Sequence, residues 1–190
     1  MTCMRIEDWR KRGKWFEHRG HAIFYVDEAG AASAATRPAL LLIHGFPTSS
    51  WDYTDIWPLL APHFGRMIAP DMIGFGFSAK PPRYPYDLVD QADLHEHLLA
   101  RLGVSEVHVL AHDYGVSVAQ ELLARHLERE QPVLKLLSVT LLNGGLFPET
   151  HRALLVQKLL LGPLGPLMSR LNSAPRLASS LRAVFGPQTP

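Results

Sequence analysis

The fold is decided by the stretch VHVLAHDYG, which occupies positions 107–115. Its first part, Val107–Ala111, is a short apolar run of the kind that forms a buried strand. The residues that follow have the pattern small-x-Asp-x-small, with Ala111 and Gly115 on either side of Asp113. This spacing is typical of a nucleophile elbow, a sharp strand-to-helix turn that holds one side chain above the edge of a sheet. We expect the flanking residues to be small because larger ones would clash with a neighbouring strand or helix.

The residue at the tip of the predicted elbow is Asp113, where a Ser or Cys nucleophile would otherwise stand. A carboxylate is already ionised near neutral pH, so it needs no base to attack an electrophilic carbon and form an ester. Water would then hydrolyse that ester. The alternative is that Asp113 only caps the helix that follows. The small flanking residues and the junctions described below favour the elbow.

Strand and helix patterns alternate at short spacing along residues 39–145. The predicted strands are 39–43, 66–70, 107–111 and 136–142, after a hairpin of 15–18 and 22–26 and a loop at 28–38. The predicted helices are 88–102, 116–126 and one that Thr48 or Ser49 caps. This alternation indicates the α/β class, with a doubly wound, mostly parallel sheet and right-handed crossovers. Ligands bind beyond the carboxyl ends of the strands in such sheets.

A second junction, His44-Gly45-Phe46-Pro47, follows the predicted strand 39–43. Gly45 lets the backbone approach closely, whereas Pro47 removes one donor and fixes the turn. We expect the N–H of Phe46 to point at a developing oxyanion, with the N–H of Tyr114 as its partner. The alternative is a plain strand-ending turn. His44 is expected to make structural hydrogen bonds.

Two further clusters lack the pattern of a cofactor site. The glycine-rich DMIGFGFS at 71–78 has no Lys-Ser/Thr of a P-loop, so we expect a tight turn in which Asp71 is hydrogen-bonded to backbone. Asp93, His95, Glu96 and His97 lie close together, but the two histidines are two apart on a predicted helix and face different ways. We therefore expect a solvated helix surface there, and neither a metal nor a cofactor in the protein.

The motifs HGFP, DMIGFGFS and AHDYG, in this order and spacing, resemble the α/β-hydrolase superfamily. The Asp at the elbow is similar to that of its epoxide hydrolase and haloalkane dehalogenase branch. The strings FPTSSWDY, HDYGVSVAQELL and NGGLFPETHRALLVQKLL resemble the mesoderm-specific transcript group of the superfamily, and the resemblance runs from about Trp15 onward.

The resemblance implies an α/β-hydrolase fold with Asp113 as nucleophile and the N–H groups of Phe46 and Tyr114 as oxyanion donors. The motif residues that shape the site would be His44, Gly45, Pro47, His112 and Gly115. The dehalogenases of this branch carry Asn and Trp where this chain has Phe46 and Tyr114, which argues against dehalogenation. HGFP suits an epoxide hydrolase better. Those enzymes, however, use Trp at the elbow and polarise the epoxide oxygen with cap tyrosines, and no tyrosine follows Tyr114.

The family also needs a water-activating His after its last strand, and none of the ten histidines lies beyond His151. In some dehalogenases the acid that orients this His follows the fourth predicted strand. The corresponding residue here is the neutral Asn143, and Glu149 is the nearby alternative. We therefore expect residues 14–147 to be the N-terminal part of the hydrolase core and residues 148–190 to be the beginning of a helical cap. We expect such an incomplete chain to be inactive alone, with its acid and His beyond residue 190.

Composition sets the remaining expectations. The 190 residues carry a formal net charge of +1, which gives no support for a nucleic-acid partner. The single cysteine, Cys3, excludes an intramolecular disulfide and fits a cytoplasmic protein. Neither a signal peptide nor a transmembrane segment is evident. The leading hypothesis is an epoxide hydrolase-like enzyme with a small-molecule substrate. The alternatives are a non-catalytic protein that binds a ligand or partner, and a haloalkane dehalogenase; the oligomeric state is left open.

Overall fold

The computed structural model describes residues 4–31 and 36–144. The chain divides into two compact units, Met1–Leu146 and Phe147–Pro190, and all the described residues belong to the first. The predicted cap at 148–190, together with Glu149 and His151, lies outside the described residues.

Six strands form a single mixed sheet whose spatial order is β1-β2-β4-β3-β5-β6. In chain order they are β1 Gly13–His18, β2 His21–Ala29, β3 Ala39–Ile43, β4 Arg66–Pro70, β5 Glu106–His112 and β6 Lys135–Leu142. The helices are α1 Ile6–Arg12, α2 Trp57–Leu60, α3 Leu88–Arg101 and α4 Tyr114–Glu128, with a 3₁₀ turn at Ser50–Tyr53. The β1–β2 and β2–β4 pairs are antiparallel, whereas β3–β4, β3–β5 and β5–β6 are parallel. The predicted hairpin and α/β class are thus confirmed.

The sheet is covered on both faces, which explains the continuous apolar run of β3. Leu40 and Leu42 pack into one hydrophobic cluster, whereas Leu41 and Ile43 pack into the other. Successive side chains of a strand point to opposite faces, so a strand with a cluster on each side must be apolar throughout. Because β3 pairs in parallel with both β4 and β5, the carboxyl ends of these three strands lie at the same edge of the sheet, where the predicted junctions begin.

The structure differs from the sequence predictions in the first half of the chain. The predicted loop at 28–38 starts too early, because Glu28 and Ala29 continue β2 and pair with Met67 and Arg66 of β4. Helix α1 was not expected from the charged N-terminal sequence. It is held in place by Trp9, which is fully buried and donates its indole N–H to Ser50 Oγ at 3.0 Å.

The helix expected after Thr48 or Ser49 is interrupted. Ser49 caps the 3₁₀ turn Ser50–Tyr53 by accepting a hydrogen bond from Trp51 N at 3.4 Å, and α2 begins only at Trp57. Pro58 explains the break, because it has no N–H to donate and its ring clashes with the turn before it.

Candidate active site

The backbone turns sharply between β5 and α4, and Asp113 stands at the turn with φ 52° and ψ −119°. An L-residue rarely adopts this conformation, which costs of order 1–3 kcal/mol when the surrounding fold imposes it. The N–H of Asp113 donates to Leu142 O of β6 at 3.0 Å. A Cβ on Gly115 would overlap the carbonyl groups of Ile43 and His44. The small residue at position 115 thus lets the helix approach the end of β3.

The carboxylate of Asp113 is held by one of its two oxygens. Oδ1 accepts hydrogen bonds from Phe46 N at 2.8 Å and from Tyr114 N at 2.6 Å. Oδ2 receives no hydrogen bond from the residues that the structure describes. The two N–H groups expected to face an oxyanion therefore converge on a single oxygen of the predicted nucleophile. The bond from Tyr114 N also caps α4, so capping and the elbow are compatible.

The HGFP turn passes directly over the elbow. A Cβ added to Gly45 would collide with the Cβ of Asp113, so only glycine lets the two backbones come this close. The peptide bond between Phe46 and Pro47 is cis. Phe46 is 68% exposed, and its hydrogen bond to Asp113 comes from its backbone N–H group.

His44 lies beneath the site and connects two backbone segments. Its Nδ1 is 2.9 Å from Gly45 O, and its Nε2 accepts a hydrogen bond from Met72 N at 3.0 Å. Burial lowers the pKa of His44 to about 4, so the ring is neutral near pH 7. The side chain of His112 makes no hydrogen bond to any described residue. Within the same part of the chain, no histidine is hydrogen-bonded to Asp113.

The glycine-rich segment 71–78 is the tight turn expected from the sequence. Asp71 is fully buried, and its two carboxylate oxygens accept from Ser50 N at 2.8 Å and from Phe77 N at 2.7 Å. A Cβ on Gly76 would overlap the same carboxylate. The prediction that Asp71 is bonded to backbone is thus confirmed.

The acidic and histidine cluster of α3 is not the solvated surface that the sequence suggested. Asp93 and Glu96 accept from Arg125 of α4 at 2.8 and 2.7 Å, and His95 is fully buried. The prediction was wrong because α4 packs against this side of α3. His97 does face away from His95, as expected, and is exposed. In residues 4–31 and 36–144, no group of three or more His, Cys, Asp or Glu could hold a metal ion.

An aromatic cavity of about 390 Å³ lies beside the elbow. It is lined by Phe46, Gly74, Phe75, Tyr86, Gln91 and Tyr114. The rings of Phe75 and Tyr114 stack with centroids 6.0 Å apart. Two of the lining residues, Phe46 and Tyr114, are those whose N–H groups hold Asp113, so residues of both junctions contribute to the cavity wall.

The sequence analysis missed four members of the cavity wall: Gly74, Phe75, Tyr86 and Gln91. Gln91 is fully buried, and its Nε2 donates to Ile73 O at 3.0 Å. Its Oε1 has no hydrogen-bond partner among the described residues. The only available signal was a glutamine on the apolar face of a predicted helix, which does not by itself indicate a cavity.

Within the described ranges, none of the helices combines the length and the apolar character needed to cross a membrane.

Comparison with known proteins identifies the family of this chain. The chain is 44% identical to the mesoderm-specific transcript protein of Mus musculus over 188 residues, which are 97% of this chain and 56% of that protein. It is also 41% identical to a haloalkane dehalogenase of Mesorhizobium japonicum over 102 residues, which are 54% of this chain and 31% of the dehalogenase. The chain thus spans little more than half the length of the first of these relatives.

A solved structure, the epoxide hydrolase CorEH without ligand, superposes with a TM-score of 0.59 at 26% identity and covers 78% of this chain and 48% of that one. The family model described as the alpha/beta hydrolase fold matches residues 38–162, which include β3 to β6 and both junctions of the site. The chain therefore belongs to the α/β-hydrolase family.

Proposed function

We propose that this protein is an epoxide hydrolase-like enzyme in which Asp113 attacks an electrophilic carbon of a small substrate. One observation carries the proposal: Asp113 Oδ1 is held by two N–H groups, whereas Oδ2 is free of hydrogen bonds from the described residues. A capping Asp needs only one such bond. A nucleophilic carboxylate needs one fixed oxygen and one available oxygen, which is the arrangement at Asp113.

The same two hydrogen bonds suit both halves of the proposed reaction. Attack by Oδ2 forms an ester in which Oδ1 becomes the carbonyl oxygen. When water adds to the ester carbon, negative charge develops on Oδ1, where the N–H groups of Phe46 and Tyr114 already point. Donors fixed in advance on a developing oxyanion stabilise the transition state, and removing one such donor costs about 10²–10³-fold in rate.

An epoxide is preferred to a halide as the electrophile. The dehalogenases of this branch carry Asn and Trp side chains at the positions of Phe46 and Tyr114, and Phe46 offers no side-chain donor for a halide. A haloalkane substrate remains the second candidate because of the similarity to the Mesorhizobium dehalogenase. A non-catalytic cap would not require the second hydrogen bond at Oδ1, which comes from Phe46 N. We also propose a cytoplasmic location and a small-molecule substrate. The single cysteine fits a reducing compartment, and the near-neutral charge gives no support for a nucleic-acid partner.

We expect the ester to persist once it has formed in this 190-residue chain. Its hydrolysis requires a base to activate water, and the described residues supply no histidine hydrogen-bonded to Asp113. The purified chain would therefore take up one substrate molecule and stop.

The test is incubation with styrene oxide followed by intact-mass analysis and peptide mapping. We expect one adduct on Asp113 that is absent from Asp113→Asn. The control Asp55→Asn removes the carboxylate of an exposed Asp and should behave like the wild type. Peptide mapping that finds adducts only on residues other than Asp113 in the wild type would exclude Asp113 as the nucleophile. Continuous release of diol would contradict the expected persistence of the ester, and release of halide from a haloalkane would favour the second candidate.

A further inference from the structure

Three side chains outside the aromatic cavity and the elbow form a hydrogen-bonded chain: Asp90, His18 and His97. His18 is the last residue of β1, whereas Asp90 and His97 belong to α3. The His18 Nε2 lies 3.1 Å from Asp90 Oδ1, and the His18 Nδ1 lies 3.2 Å from the Nδ1 of His97. Asp90 and His18 are buried, but His97 is exposed. The chain therefore leads from a buried carboxylate to an imidazole ring at the surface.

Asp90 determines which nitrogen of His18 carries a proton. Its Oδ2 accepts a hydrogen bond from the Tyr84 hydroxyl, and its Oδ1 lies 2.7 Å from Arg19 Nε. An ionised carboxylate can only accept hydrogen bonds. The contact between Asp90 Oδ1 and His18 Nε2 is therefore a hydrogen bond that the N–H of His18 donates.

This fixed proton sets the tautomer of the second ring as well. An uncharged imidazole has one donor and one acceptor nitrogen, so the Nδ1 of uncharged His18 is an acceptor. The Nδ1 of His97 must then carry the proton that lies between the two rings, which leaves a lone pair on the Nε2 of His97. This Nε2 has no hydrogen-bond partner among the residues that the structure describes. The exposed ring thus presents a free, unprotonated nitrogen.

The arrangement has the parts of an activated nucleophile. Such a site needs a base within hydrogen-bond reach of the nucleophile and a third group that orients the base. His97 stands in the place of the nucleophile, His18 in that of the base and Asp90 in that of the orienting group. An imidazole that attacks through Nε2 becomes positively charged unless it loses its Nδ1 proton, and the Nδ1 of His18 is placed to accept that proton.

We propose that His97 is a second nucleophilic site of this protein, which takes an acyl group from an activated, uncharged ester or carbonate. The Nε2 of His97 forms a bond to the carbonyl carbon, while the bond from that carbon to the leaving oxygen breaks and its electron pair stays with the oxygen. The Nδ1 proton of His97 passes to His18 and from there, through solvent water, to the leaving anion. The product is an uncharged acyl-imidazole on His97. His18 and Asp90 are positioning residues, since they act through His97.

An acyl donor suits this site better than a phosphoryl donor. Phosphoryl transfer relies on cations that balance the charge of the transferred group. Arg19, the arginine of this cluster, is already paired with Asp90 and Asp93 at 2.7 and 2.8 Å. The transfer of an uncharged acyl group needs no such cation, and it requires nothing of Asp113.

The experiment measures the rate at which diethyl pyrocarbonate, an uncharged acyl donor, modifies each histidine at pH 7, with peptide mapping as the readout. In the wild-type 190-residue chain we expect His97 to react at least about 10-fold faster than the exposed His63, because base assistance contributes about 10²–10⁴-fold at well-formed sites. In His18→Phe the rate at His97 should fall at least about 10-fold, whereas the rate at His63 should not change. The matched control is His21→Phe, which makes the same substitution at the residue that faces His18 in the hairpin and should keep the wild-type rates.

A second measurement tests the tautomer without any variant. Long-range ¹H–¹⁵N spectra of the wild type should show the proton of His97 on Nδ1. The exposed His63 should show the Nε2–H form that an imidazole prefers in water. The same kind of spectrum shows whether His18→Phe is folded.

Three results would overturn the proposal. They are a wild-type His97 that reacts no faster than His63, a wild-type His97 that carries its proton on Nε2, and a folded His18→Phe that keeps the wild-type rate at His97. If His18→Phe does not fold, the wild-type rate ratio and the tautomer decide. None of these results depends on the reaction of Asp113 with styrene oxide, so the two proposals stand or fall separately.

Discussion

Asp113 combines a strained backbone with a tethered side chain. Its φ of 52° is one that glycine adopts readily and an L-residue does not. The hydrogen bonds from Phe46 N and Tyr114 N to Oδ1 offset part of that strain. The fold therefore keeps an Asp where its backbone alone would favour glycine, as expected if the carboxylate is needed for chemistry.

This strain can be measured by comparing Asp113→Gly with Asp113→Ala. Both variants lose the hydrogen bonds at Oδ1, but only glycine relieves the backbone. We expect Asp113→Gly to be the more stable, and the control is the same pair at Asp87, which caps α3 with an ordinary φ of −82°. Urea unfolding measures how much more stable the Gly variant is than the Ala variant at each position. We expect this difference in unfolding free energy to be about 1–2 kcal/mol larger at position 113 than at position 87. Equal differences at the two caps would show that Asp113 is unstrained.

At the residue scale, the sequence predicted the motif residues and missed the cavity wall. Asp113 and Gly115 could be identified because the elbow is local, with all its members within a few positions of each other. Gln91 and Phe75 could not, since they come from different elements and only the tertiary fold brings them together.

Helices α3 and α4 are joined by an ion-pair cluster around Arg125. The side chain of Arg125 is only 10% exposed and donates to Asp93, Glu96 and Glu121. Loss of Arg125 would remove the central charge of this cluster. It would leave Asp93 with Arg19 alone and Glu96 with Arg129 alone, in a partly buried site where losing a charge partner is costly.

We expect Arg125→Met to destabilise the protein by about 2–4 kcal/mol, close to the range for breaking a buried ion pair. The control is Arg129→Met, which removes a more exposed partner of Glu96 and should cost at most about 1 kcal/mol. Urea unfolding at neutral pH measures both. Equal losses in the two variants would show that Arg125 acts as an ordinary surface charge.

At the element scale, the strands were predicted best. The observed ranges of β3 and β4 agree with the predicted ones. In an α/β pattern, a short apolar run between turn residues indicates a buried strand. The sequence analysis missed the continuation of β2 through Glu28. Backbone pairing to β4 holds this part of the strand, so it needs no apolar side chain at position 28. Helix α1 was missed because only Trp9 among its residues is buried, too few for a helical period to be visible.

Two buried histidines make the stability of the whole molecule depend on pH. Burial lowers the pKa of both His44 and His95 to about 4, against an ordinary value of 6.5. Between pH 6.5 and 4 the unfolded chain therefore binds more protons than the folded one, so the free energy of unfolding falls as the pH falls. Burial raises the pKa of Asp71, which has the opposite effect on stability.

We expect each of these histidines to contribute a slope of up to about 1.4 kcal/mol per pH unit in that window. His95→Asn removes one titrating group and should lower the slope of unfolding free energy against pH accordingly. The exposed His63→Asn is the control and should leave the slope unchanged. Urea unfolding at several pH values between 4.5 and 7.5 measures it, and an unaltered slope in His95→Asn would contradict the assignment.

The position of β3 at the middle of the sheet also sets an order of assembly during translation. β3 lies between β4 and β5, yet it is synthesised before either of them. Glu106 of β5 leaves the peptidyl-transferase centre 63 residues after Ile43 (106 − 43), which takes roughly 3 to 13 s at about 5–20 residues per second. For an interval of this length after β3 emerges from the ribosome, its five apolar side chains have at most one neighbouring strand. The elbow forms later still, because Gly115 must pack on the end of β3.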